Sequence, residues 1–425
     1  MLNIAVIADQ KSLKTFWGFY ETNKKRIEKL IDQKIKINCI FTESDKIQLP
    51  DLLRDQPIKI YQDYSQLLLN SELDVIIELN KNEKTFFYLK SALQNNKIFI
   101  TASSRVIAEN YSRIKQLEKE NQSRVYFSAA FSPLPIHTLI NDFYAVDGIK
   151  ELNAVLNATT NYILTEMAKS TVSMKETIEQ AKELSYAEEN PELDLDGYDS
   201  LYKITLLGDL IYETALNPEV VNARGIKGIT SYDLIYAEEL GYKIKLICTI
   251  KKENGNLYIG VRPNLISEDS FLASVNENSN AVEVFSDFNA RTIFKAENCE
   301  TAINNLFCLD LINTANFINK RNKGNFNYHQ YDFNFFDLYT SQQNPFYIRL
   351  QIEKDREIIK EIKNIFSEEN LAELVLHDNL TETPLLPVII ITRKIKEKNL
   401  EILIEKIEKL EGVLTVNNII PVRAE

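Results

Sequence analysis

The first third of the chain alternates short apolar runs with stretches whose apolar residues recur at helical spacing. Asn3–Ile7, Ile35–Phe41, Asp74–Leu79, Lys97–Thr101 and Val125–Ala130 are rich in β-branched and aromatic residues and read as strands. Trp17 to Ile31, Lys84–Leu93 and Arg105–Lys119 read as helices between them. Repeated strand–helix alternation predicts a parallel sheet covered by helices, with ligands at the C-terminal ends of its strands.

The middle of the chain breaks that rhythm. Glu151–Ala158 reads as a strand, followed by helices from Asn161, over Met174–Leu184 and over Asp199–Leu216. Tyr242–Ile250, Leu257–Val261 and Ala281–Phe285 read as further strands, so this part is an α+β unit. Residues 319–344 are rich in Asn, Phe and Tyr (Phe326, Tyr328, Tyr331, Phe333, Phe335, Phe336, Tyr339) and read as a linker with docking aromatics. Beyond it the order Phe346–Ile352, Arg356–Phe366, Leu371–His377, Pro387–Arg393, Asn399–Leu410 and Val413–Val422 is β-α-β-β-α-β, a ferredoxin-like pattern. The predicted architecture is α/β. A Rossmann-like domain covers 1–130, a substrate-binding and dimerisation domain 131–318 (its closing helix returning to the first domain), and a small domain 345–425.

Composition narrows the partners. Lys and Arg number 49 against 61 Asp and Glu, a net charge of −12, and no basic cluster offsets it, so nucleic acid and anionic membrane are poor partners. No apolar run approaches the roughly 20 residues of a membrane span, and Met1-Leu2-Asn3 runs straight into a strand-like segment without a signal-peptide pattern. Cys39, Cys248, Cys299 and Cys308 are widely spaced, and His137, His329 and His377 are scattered, which argues against a zinc site or a disulfide framework. Cys39 and Cys248 lie in apolar strands and read as small core residues. A reducing cytoplasm is the expected setting. Glycine is scarce, 11 in 425, and Gly18 stands alone in the first 147 residues. The N-terminal domain therefore lacks flexible glycine loops.

The densest chemistry runs from Tyr186 to Lys203. Pro191 and Gly197 mark a loop, and a helix starts near Tyr198. Asp199 and Lys203 are four apart and share a helix face, with Asp199 at the end where the helix dipole favours an anion. Two readings fit: a solvated surface ion pair, or a pocket for a small zwitterion with carboxylates for its ammonium and Lys203 for an oxygen.

The stretch Val155–Met167 (VLNATTNYILTEM) resembles the LNGTTNYIL signature of the homoserine dehydrogenase family. The loop after it is similar to that family's GYAExDP…DxxGxDxxxK pattern. Asp74–Leu79, Ile100–Ser104, Ser132–Ile136 and Tyr236–Leu246 fall in order where the family has its VVVEL, VTANK, GGIPI and later segments, so the resemblance covers about residues 1–318. The C-terminal unit resembles the ACT domain of some members. The resemblance implies NAD(P)-dependent interconversion of L-aspartate 4-semialdehyde and L-homoserine, on the threonine and methionine branch. It implies catalytic Lys203 and Asp199, with Glu188, Asp194, Asn157, Thr159 and Thr160 binding substrate. It places Ala8, Gln10, Lys11, Glu43, Ala102 and Ser103 at the NAD or NADP, with no catalytic metal. Glu43, near the end of the second strand, suits a ribose 2′-hydroxyl and hence NAD. The implied assembly is a homodimer or higher homo-oligomer, the ACT-like units pairing edge to edge rather than holding an effector, since Lys354–Glu357 replaces their Pro-Gly turn.

The chain departs from the family at specific places. The GxGxxG turn after the first strand reads Ala8-Asp9-Gln10-Lys11-Ser12-Leu13, and the lysine of VTANK is Ser104. The acidic residue of a cation-binding segment is Phe127, the glycine pair beside it is Ser132-Pro133, and a late glycine turn is Lys295–Cys299. Two functions fit: an active dehydrogenase with a rebuilt cofactor turn, or a regulator that keeps the amino-acid pocket, binding an amino acid or a protein partner without hydride transfer.

Overall fold

The computed structural model describes residues 1–44, 57–170, 172–253, 255–321, 334–335, 343–376 and 385–423. These form two compact units, the first from 1–148, 205–220 and 296–332, the second from 149–204, 221–295 and 333–425.

In the first unit, six strands form a parallel sheet: β1 (Leu2–Ile7), β2 (Ile35–Phe41), β3 (Lys59–Tyr61), β4 (Val75–Glu78), β5 (Ile98–Thr101) and β6 (Val125–Tyr126). Their order is β3-β2-β1-β4-β5-β6. The chain thus reverses its direction of travel across the sheet between β1 and β4, the switch point where doubly wound sheets bind ligands. The central strands are buried along their whole length, which is why they read as unbroken apolar runs. The helix α1 (Gln10–Ile31) buries Leu13, Phe16, Trp17, Tyr20, Ile27 and Ile31. It starts earlier than its apolar stripe because Asp9 and Ser12 form a capping box. The helix Glu300–Arg321 supplies Leu306, Phe307, Leu311 and Ala315 to the same core.

Two predicted elements of this unit differ. The strand Val125–Ala130 stops at Tyr126 and turns into a 3₁₀ segment, Ser128–Phe131. The cause is Asp310, whose buried carboxylate accepts from Ser128 N at 2.9 Å and from Ser128 Oγ at 2.5 Å. The helix Arg105–Lys119 breaks at Asn110 into Ser104–Glu109 and Tyr111–Asn121. The Asn110 side chain bonds back to the Val106 carbonyl at 2.9 Å, a local alternative to the helical ladder.

In the second unit, Ile149–Val155, Tyr242–Glu253, Asn256–Ser267, Ser279–Ser286 and Arg291–Glu297 form one side of a mixed sheet. The predicted late turn at Lys295 is instead the end of its last strand. The strand from Asn256 runs on past Val261, the predicted end, through Pro263 to Ser267. Proline is tolerated because position 263 falls between two stretches, 260–261 and 265–266, where that strand's second edge pairs. Val413–Arg423 joins there and continues into Phe346–Glu353, Leu385–Thr392 and Leu371–Leu376. With helices Arg356–Asn370 and Glu397–Ile407 these make the β-α-β-β-α-β order read from the sequence, around a core of its own. Residues 319–321 end the helix Glu300–Arg321, and Asn334–Phe335 and Gln343–Asn344 are short strands. Phe326, Tyr328, Tyr331, Phe333, Phe336, Tyr339, His329 and His377 lie outside the described residues.

A buried ion pair ties the sheet to the helix Ser231–Glu239. Asp233 is fully buried and accepts from Arg349 Nε at 2.6 Å, Asn418 Nδ2 at 2.8 Å and Tyr347 Oη at 3.1 Å. Asp233→Ala leaves Arg349 with an uncompensated charge, 11% exposed, and is expected to lower stability by about 3–5 kcal/mol in urea unfolding. A loss near zero would show that Arg349 reaches solvent instead.

Candidate active site

One cluster of the predicted site residues lies within the second unit. Asn157 caps the helix Ala158–Ser170: Thr160 N donates to its Oδ1 at 2.8 Å. That bond fixes the amide, so Nδ2 faces two carboxylates and donates to Asp194 Oδ1 at 2.6 Å and to Asp199 Oδ2 at 2.8 Å. Lys203 closes the cluster, donating from Nζ to Asp199 Oδ2 at 2.7 Å and to the Leu156 carbonyl at 3.0 Å.

Burial decides between the two readings of the Asp199–Lys203 pair. Their side chains are only 19% and 13% exposed, so this is not a solvated surface pair. Four residues predicted from sequence, Asn157, Asp194, Asp199 and Lys203, converge. Thr159 and Thr160 flank them; Thr159 Oγ1 donates to the Tyr186 carbonyl at 2.7 Å and ties down the preceding loop. Glu188 is exposed on that loop and acts on the cluster through its charge. Burial first, then the charge of Asp199, pushes the Asp194 carboxyl up to about 6. Beneath the cluster, burial pushes the Cys248 thiol up to about 12, as suits an inert core residue.

The raised Asp194 sets a pH dependence. Between the usual carboxylate range and about 6 the folded protein binds more protons than the unfolded chain, so stability falls as pH rises through that window. A bound ammonium reverses the preference, because it favours the ionised carboxylate. The affinity for a ligand whose ammonium meets this carboxyl is therefore expected to rise with pH to a plateau above about 6, and Asp194→Asn to flatten the curve in titration calorimetry.

The loop 224–229, which carried no sequence signal, supports this cluster. Ile226 N donates to the Leu195 carbonyl at 2.8 Å, and Lys227 pairs with Glu192 and with Asp196, the latter at 2.8 Å. Gly197, at φ +82°, makes the turn between Glu192–Leu195 and the helix Tyr198–Tyr212, with Arg224 O 3.4 Å from where a Cβ would stand.

The residues predicted to meet a dinucleotide lie in the first unit. The turn after β1 carries Ala8, Gln10 and Leu13 where glycines would permit close backbone approach. Leu13 is buried in the core, and Ser12 N, a first-turn amide, already donates to Asp9 Oδ1 at 2.8 Å. The helix terminus is thus capped by the chain's own carboxylate, where a pyrophosphate would need it free of negative charge. Lys11 is exposed beside it. Glu43 is held by Lys84 Nζ at 2.7 Å and Tyr88 Oη at 2.6 Å, so a ribose hydroxyl there competes with both. Ala102, Ser103 and Ser104 are buried after β5, in a turn fixed by Glu78, which accepts from Thr101 Oγ1 at 2.7 Å. These residues do not fit a dinucleotide held in a glycine cradle.

A family model described as homoserine dehydrogenase matches residues 135–302. The chain is 31% identical to a homoserine dehydrogenase of Neisseria gonorrhoeae over 62% of its length and 61% of that protein. It is 26% identical to that of Lactococcus lactis over 62% of each, and 28% identical to that of Bacillus subtilis over 82% of this chain and 81% of the relative. The first two matches span less than two thirds of those relatives. The fold superposes on a homoserine dehydrogenase of Thiobacillus denitrificans with a TM-score of 0.87 at 21% identity, covering 99% and 98% of the two chains. That of S. aureus gives 0.75 at 25%, covering 100% and 99%.

Proposed function

We propose that the chain, which matches the homoserine dehydrogenase family in sequence and fold, acts on the L-homoserine and L-aspartate 4-semialdehyde pair. The observation that carries this reading is the buried Asn157–Asp194–Asp199–Lys203 cluster. Asp194 and Asp199, with Glu188 at the rim, offer negative charge to the substrate ammonium. A lysine ammonium has three N–H groups. Two of those of Lys203 go to Asp199 and Leu156, which leaves one for the substrate's hydroxyl or carbonyl oxygen. That oxygen gains negative charge as the carbonyl becomes an alcohol, so the ammonium stabilises it and can supply the proton. Asn157, fixed through Thr160, holds both carboxylates in place. The redox partner that this interconversion requires is NAD or NADP. The proposed assembly is a homo-oligomer, with the C-terminal unit as an ACT-like pairing element.

A second reading, amino-acid binding without hydride transfer, is favoured by the Asp9 cap and by Ser104 in place of a lysine. Separate calorimetric titrations with homoserine, NADH and NADPH test both. Binding of homoserine together with either cofactor supports the first reading. Homoserine binding with no cofactor binding at about 1 mM supports the second. Absence of homoserine binding sinks both. Asp9→Asn keeps a competent cap while removing its charge, and is expected to tighten NADH binding several-fold at nearly unchanged thermal stability.

A further inference from the structure

A cavity with a volume of about 510 Å³ lies within the first unit. One wall is the helix Tyr111–Asn121, which presents Lys115 and Lys119, and Arg124 just after it. Tyr126 and Phe127 line it with little of their rings exposed, 8% and 2%, and His137 lies against the Phe127 ring at 5.7 Å. The opposite wall is the end of the helix Tyr198–Tyr212 and its following turn, with Asp209 and Glu213. Exposed Gln116 and Lys119 open the rim to solvent.

The basic groups are packed at a cost. Burial, and then the charges of Lys115 and Arg124, hold His137 down to about 4, so its imidazole is neutral near pH 7. Burial and the charge of Arg124 also lower Lys115, although Glu118 pairs with it at 2.9 Å. Burial also pushes the Asp209 carboxyl well above the usual range, against the lowering effect of the Leu216 amide and Lys115. Its Oδ1 accepts from Leu216 N at 2.7 Å, while Oδ2, also buried, has no hydrogen-bond partner among the described residues. A buried carboxyl held as the neutral acid donates a proton to an anion and does not repel it. Three basic side chains and a buried carboxyl around one opening suit an anionic guest.

We propose that this cavity binds a small organic anion, its carboxylate or phosphate head bonded by Lys115, Lys119 and Arg124 and its apolar body lying against Tyr126 and Phe127. The volume exceeds what inorganic phosphate alone fills, and the rings supply the contact surface for the remainder. Bound anion also raises the pKa of His137. The charged groups that act on that imidazole are Lys115, Glu118 and Arg124, and Asn141 Nδ2 stands 3.1 Å from its Nδ1; Tyr111, Lys119, Tyr126, Asp209 and Glu213 line the same cavity. The added negative charge favours the imidazolium directly and offsets the repulsion from Lys115 and Arg124, and both effects raise that pKa.

Phenyl phosphate, benzoate, inorganic phosphate and phenol are titrated into the full chain by calorimetry, with the His137 ring followed by NMR. Saturable binding of phenyl phosphate or benzoate, a His137 pKa raised on binding, and weaker binding of inorganic phosphate are expected. Whichever of the two aromatic anions binds more tightly identifies the head group. Lys119→Gln with Arg124→Gln is expected to weaken binding at least about tenfold while the free protein's unfolding midpoint holds. Lys119→Glu, on an exposed side chain, gives the same direction where the double variant fails to fold. No saturable binding at about 10 mM, binding of phenol equal to that of phenyl phosphate, or unchanged affinity in the Lys119 variants overturns the proposal.

Discussion

Lys203→Ala is expected to reduce homoserine turnover by about 10²–10³-fold, the range seen when one donor to a developing oxyanion is removed. The physical reason is local. Lys203 donates to Asp199 within the Asn157–Asp194–Asp199 cluster, and its side chain is 13% exposed. Without it, Asp199 and Asp194 face each other across one amide, and burial then favours protonating at least one of them. Ammonium binding weakens for the same reason, so KM rises as kcat falls. Lys203→Arg tests geometry: it keeps the charge but moves it along a longer, planar side chain, and recovers less than a tenth of the activity if position matters. Steady-state homoserine oxidation, with NAD(P)H affinity measured separately, separates these effects. Turnover within about twofold of the parent would remove Lys203 from the mechanism. In a protein without hydride transfer, the same variant is read by loss of homoserine affinity.

Parts of this molecule are legible in its sequence where the physics is local. The strands of the first sheet are buried on both faces, so β4 reads as an unbroken apolar run with little ambiguity. Asp199 and Lys203 are legible because four-residue spacing on a helix fixes a shared face whatever surrounds it. Their burial is not legible, since it depends on the strand end at Leu156 and on Asp194 coming from another part of the chain. The 3₁₀ turn at Ser128 was missed for the same reason: its cause, Asp310, is distant in sequence. Pro263 is a strong local breaker that lost to tertiary context, because the pairings on the strand's second edge fall at 260–261 and 265–266, to either side of it. The Asp9 cap sits between these cases. Its residue type announces a helix start, yet only the observed bond to Ser12 shows that it occupies an amide a phosphate would use.

Gly225→Ala is expected to disable the amino-acid site without touching any residue in it. A Cβ at position 225 would stand 1.9 Å from the Leu195 carbonyl oxygen and 2.5 Å from Asp196 Cα. Both are backbone atoms, so no side-chain rotation relieves the clash. Either the loop 224–229 lifts away or the segment Glu192–Gly197 shifts. Lifting breaks the 2.8 Å bond from Ile226 N to the Leu195 carbonyl and separates Lys227 from Asp196. Shifting moves Asp194, which precedes Leu195, and lengthens its 2.6 Å bond from Asn157. Overpacking of this kind costs about 1–3 kcal/mol, and the expected readouts are a lower thermal midpoint and at least about tenfold weaker homoserine binding. Gly228→Ala is the control, because the nearest obstacle there is the Asn418 side-chain oxygen at 3.2 Å, which need yield only a few tenths of an ångström. In a chain with only 11 glycines, one retained beneath the substrate loop answers to a steric requirement. Equal homoserine affinity in Gly225→Ala and Gly228→Ala would show that the loop 224–229 does not position Asp194.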